Sequence, residues 1–111
     1  MKDIIEAIDL SIKLLNEAFQ NLKDKKFLEF KLWRIASELE YAALALSLLN
    51  DLIDFNPNIN NDFQVKSIEE ALIKAQNLLK EALTFINEDP KATYEKIKQT
   101  IKLIKKTKML V

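Results

Sequence analysis

The chain has 111 residues, the length of one ordinary domain, and 49% of them are apolar, too many for a chain that stays unfolded. It contains no glycine, cysteine or histidine, which excludes glycine-hinged phosphate loops, disulfides and thiolate metal sites and removes the commonest general base. Its 17 basic and 17 acidic residues cancel, but unevenly: seven lysines against Glu95 alone give residues 91–111 a charge of +6, so the first 90 carry −6.

Leucine, isoleucine, alanine, lysine and glutamate form a helix-favouring mixture. The expectation is an all-α chain, a single domain over 1–111, folded as a four-helix up-down-up-down bundle. The first helix is expected over 3–22. Ile4, Ile8, Ile12, Leu15, Phe19 and Leu22 recur every three or four residues, which draws one apolar stripe along a helix. Ala7, Leu14 and Ala18 widen it, and Asp3, Glu6 and Asp9 suit the positive end of the helix dipole. Lys23–Lys26 is the expected first turn.

A second helix is predicted over 27–54, and it carries two stripes. One is Leu28, Leu32, Ile35, Leu39, Ala42, Leu46, Leu49 and Ile53, stepping by four and three like a coiled-coil seam. The other lies on the opposite side: Phe27, Phe30, Trp33, Tyr41, Leu44, Leu48 and Leu52. A helix in a four-helix bundle should keep one side wet, so a helix apolar on two sides needs a second cover. The functional expectation is therefore a non-catalytic module that associates with itself as a homodimer, or with another protein. Phe27, Phe30 and Trp33 would act as aromatic anchors.

Residues 55–66 break the helix, because Pro57 disfavours a helical Asn56 and asparagines favour turns. Asp54, Asn56, Asn58, Asn60 and Asp62 place oxygen-bearing side chains at every second position. That run resembles the first nine positions of an EF-hand calcium loop. The resemblance implies Ca2+ as the ion for an alternative, cation-binding function, since calcium takes six to eight hard oxygen ligands. It stops there: Ile59 stands where the family has a glycine, and Val65 where it has a bidentate glutamate.

Ser67 with Glu70 is a capping box that opens a third helix over 67–87, with Ile68, Leu72, Ala75, Leu79, Ala82, Leu83 and Ile86 as its stripe. Asp89 followed by Pro90 opens a fourth over 90–106. Its stripe is narrow: Tyr94, Ile97, Ile101 and Ile104. Lys98, Lys102 and Lys105 share one flank of this helix, which makes nucleic acid a weaker alternative partner. The competing expectation is that these lysines complement acidic neighbours within the bundle.

Enzyme chemistry is not expected. Di-iron bundles need Glu-x-x-His pairs, and a serine or threonine nucleophile here has only carboxylates or lysines as a base. The longest dense apolar stretch, 41–53, is shorter than the roughly 20 residues a membrane span needs. With no charged start leading into an apolar run, a cytoplasmic chain is the expectation.

Overall fold

The structure, a computed structural model, describes residues 3–57 and 65–111. These form four helices: α1 (Ile4–Phe19), α2 (Lys25–Leu49), α3 (Ile68–Phe85) and α4 (Pro90–Lys108). No strand occurs among the described residues.

Each helix starts in the same way. An acid or hydroxyl at the N-cap accepts a hydrogen bond from the backbone N–H three residues on: Asp3 from Glu6 at 2.7 Å, Asp24 from Phe27 at 3.1 Å, Ser67 from Glu70 at 3.1 Å and Asp89 from Ala92 at 3.1 Å. Each satisfies an amide the helix cannot pair internally, and each contributes about 1 kcal/mol. Asp24 thus starts α2 at Lys25, two residues before the expected boundary.

The core comes from the predicted stripes. Leu28, Leu32, Ile35, Leu39, Ala42 and Leu46 of α2 are buried, as are Leu72, Ala75, Leu79 and Ala82 of α3. In α1 the buried line runs through Ala7, Ile8, Leu14, Leu15 and Ala18, so Phe19 is left at the rim. On α4 the buried face is wider than its aliphatic residues suggest. Thr93, Thr100 and Thr107 are buried between Ile97, Leu103 and Ile104. Their hydroxyls donate to carbonyls one turn back, on Asp89, Lys96 and Leu103, so threonine enters the core without an unpaired group.

α1 packs on α2 and α3, and α4 packs on α2 and α3; among the described residues the pairs α1–α4 and α2–α3 do not meet. The starts of α1 (Asp3, Ile4) and α4 (Pro90) line one shallow hollow with the ends of α2 (Leu49, Asn50) and α3 (Ile86, Asn87). Those four termini therefore lie at one end of the bundle. α1 and α4 run away from it, and α2 and α3 run towards it, so the order is up-down-down-up. This corrects the expected up-down-up-down arrangement, in which α3 would lie beside α2 and oppose it. Here α2 and α3 run the same way on opposite corners, so Asn50 and Ile68 lie at opposite ends of the bundle. Joining ends that far apart takes more residues than the about 2–8 of a turn between adjacent antiparallel helices.

The end of α2 is a second correction. The helix stops at Leu49, five residues before the expected boundary, because Asn50 caps it and Asp51 takes a left-handed backbone conformation, φ 53°. The Leu52 N–H then donates to the Ser47 carbonyl at 2.9 Å, the six-to-one bond of a Schellman cap. Glycine usually holds the left-handed position; in a chain without glycine an aspartate holds it.

Candidate interaction face on α2

Two ion pairs mark how the buried stripe turns α2. On one flank Lys31 Nζ meets Glu17 Oε2 of α1 at 2.7 Å. On the other, Glu40 Oε1 lies 3.6 Å from Lys105 Nζ of α4. Between these flanks, facing inward, runs the buried stripe from Leu28 to Leu46. At 3.6 residues per turn, Phe30, Trp33, Ser37, Tyr41, Leu44 and Leu48 fall on the side directly opposite.

That outward line is largely apolar and largely uncovered. Phe30 is 55% exposed, Trp33 58%, Leu44 61% and Leu48 62%, while Tyr41 is half-buried against the core. The Phe30 and Trp33 rings pack on each other, with centroids 6.3 Å apart and planes tilted by 35°. The Ser37 hydroxyl, between the aromatic and aliphatic halves, donates to the Trp33 carbonyl at 3.1 Å, so the middle of the line is small and internally satisfied.

Two residues expected on this line lie elsewhere. Phe27 sits under the Lys31 ammonium, 5.0 Å from its ring centre and half-buried, at the α1 flank. Leu52 is buried, because the cap at Asp51 turns the chain back and tucks the residue after it against the last turn. Conversely, Leu49 and Ile53, expected inside, are 76% and 69% exposed. Heptad counting carries a stripe past the point where a helix stops. With Ile5, 43% exposed, they add apolar surface at the end where Leu49 and Ile5 share the hollow.

The other candidate residues lie on the segment after α2 and on α4. Asp54 and Asn56 are exposed; Asn58, Asn60 and Asp62 lie outside the described residues. Phe55, between the first two, stacks edge-on against Tyr94 at 6.1 Å and beneath Lys91 at 5.4 Å, which pins the start of the crossover to α4. Of the lysine flank, Lys98 is half-buried, Lys102 is exposed, and Lys105 is engaged with Glu40. Lys96 meets Glu81 of α3 at 3.0 Å. These two pairs show α4 lysines complementing acids of neighbouring helices.

No helix among the described residues is long and apolar enough to cross a membrane. Comparison with known proteins finds no matching family model, no matching curated protein and no matching solved structure.

Proposed function

We propose that this chain is a non-catalytic association module whose docking face is the outward line of α2, with self-association as its basic form. The observation that supports this is the exposure of Phe30, Trp33, Leu44 and Leu48, each more than half open, along a single side of one helix. Scattered exposed leucines are ordinary on protein surfaces, but a contiguous apolar strip with two aromatic rings is the composition of an interface centre.

Sedimentation velocity across micromolar concentrations tests the reading. The wild-type mass rises towards that of a dimer, and Leu44→Glu or Leu48→Glu returns it to a monomer with an unchanged helical spectrum. A wild-type chain that stays monomeric at several hundred micromolar, or a dimer indifferent to both substitutions, would overturn it.

A further inference from the structure

We infer that the occupant of the α2 face is a second copy of this chain lying antiparallel to the first, with the two-fold axis passing beside position 39. This rests on the association reading above and adds the identity and direction of the partner.

The outward residues repeat at a spacing of eleven: Phe30 with Tyr41, Trp33 with Leu44, Ser37 with Leu48. Eleven residues make almost three full turns of an α-helix, so the line stays nearly straight along the rod. A straight rod offers its whole line to an equally straight neighbour.

Bulk is distributed unevenly along that line. Its N-terminal half carries Phe30 and Trp33, and its C-terminal half carries Leu44 and Leu48. An antiparallel copy centred near position 39 sets Phe30 opposite Leu48, Trp33 opposite Leu44, and Ser37 opposite Tyr41. Every layer then joins a large ring to a smaller side chain, and the gap over Ser37, whose hydroxyl is already bonded to the Trp33 carbonyl, receives the tyrosine. A parallel copy would stack Trp33 on Trp33 and Phe30 on Phe30 and leave Ser37 facing Ser37 across an empty layer. Cores and interfaces favour the first pattern, in which volumes interdigitate.

Charge favours the same direction. Centred there, Lys26 of one copy lies level with Asp51 of the other, at both ends of the line, and the opposed helix dipoles attract. α1 and α4 flank α2 and are held there by Glu17–Lys31 and Glu40–Lys105, so the outward side is the part of α2 left for a neighbouring rod. With two half-open rings, two leucines and part of a tyrosine, the face supplies roughly 500 Å² per copy. The total of about 1,000 Å² is at the low end for a specific interface.

Because the chain has no cysteine, a single introduced one carries a spin label without further changes. Lys25→Cys and Glu29→Cys alter exposed positions outside the apolar layers and outside the Lys26–Asp51 pairing. In the antiparallel dimer the label-to-label distance is about 40 Å at position 25 and about 30 Å at position 29, since each residue moved towards the axis removes two helical rises of about 1.5 Å. Equal distances of about 10–15 Å at both positions, in a dimer that Leu48→Glu still dissolves, overturn the antiparallel geometry and leave the association reading standing. A wild-type monomer in sedimentation overturns both.

Discussion

Lys31 Nζ of α2 lies 2.7 Å from Glu17 Oε2 of α1, with the lysine side chain only 14% exposed. The lysine stem is covered by protein while its ammonium stays at the edge, which lets a charged residue sit beside the core. This contact holds the Glu17 carboxyl below its ordinary value. The hydrogen bond from Lys31 is the largest cause; burial opposes it, and the charges of Lys31, Lys13 and Arg34 reinforce it.

A pH dependence follows from that direction. A carboxyl whose folded value is depressed stabilises the fold above its unfolded value, about 4.3, and loses that contribution as pH falls through the lower folded value. Melting temperatures from pH 7 to pH 3 should therefore fall further for wild type than for Lys31→Met, which keeps the aliphatic stem and removes the charge. Parallel curves for the two proteins would show that the pair contributes nothing.

Asp51 holds a left-handed backbone conformation without being glycine, and such a residue is strained by about 1 kcal/mol. Asp51→Gly should raise stability by about 0.5 kcal/mol, the gain being reduced by the greater freedom of glycine in the unfolded chain. Asp51→Val, branched at the β-carbon, should lower it by about 1–2 kcal/mol. Urea denaturation midpoints rank the three proteins.

Thr100 is fully buried and donates its hydroxyl bond to the Lys96 carbonyl, which as a helix carbonyl retains its bond to the Thr100 amide. Removing the hydroxyl thus leaves no polar group unpaired. Thr100→Val, of nearly equal shape, should be neutral or stabilising by up to about 1 kcal/mol. Leu39→Ala, in the same core and also fully buried, should cost about 2–5 kcal/mol by opening a cavity. Thermal melts of the two variants separate a satisfied core hydroxyl from a missing core isopropyl group.

The connection 50–67 joins helix ends at opposite poles of the bundle, a span that by itself calls for a long link. On that ground millimolar calcium should leave the melting temperature within about 1 °C of its metal-free value. A selective rise with calcium over magnesium would instead assign the Asp54–Asp62 run a cation, since a ligand held only by the native state must stabilise it.

The helices and most of their starts were legible in the chain. Ser67 with Glu70 and Asp89 with Pro90 carry strong local signals, and the inner stripes of α2 and α3 name their core residues in advance. Three things were not legible, each for a physical reason. The end of α2 depends on a left-handed aspartate, and without glycine no letter marks it. The buried threonines of α4 are polar by type, and only the return of their hydroxyls to the backbone makes them core residues. The direction of α3 depends on whether a connection turns back or climbs, and 50–67 is long enough for either. Of the proposed docking line, the exposure of Phe30, Trp33, Leu44 and Leu48 along one side of α2 is what their spacing predicted. Leu52 is buried instead, because helical counting ignores where a helix is capped, and Phe27 is turned to the α1 flank, half-buried beside Lys31.

The up-down-down-up order makes the protein two hairpins, α1–α2 and α3–α4, each closed by a short turn and joined by one long strap. Every helix in one hairpin has a partner in the other, so neither half covers its own apolar stripe. Cutting that strap should leave two peptides that find each other in solution and rebuild the native helical signal. The start of α1 and the end of α4 lie at opposite poles, so joining those two points would instead require a new linker as tall as the bundle.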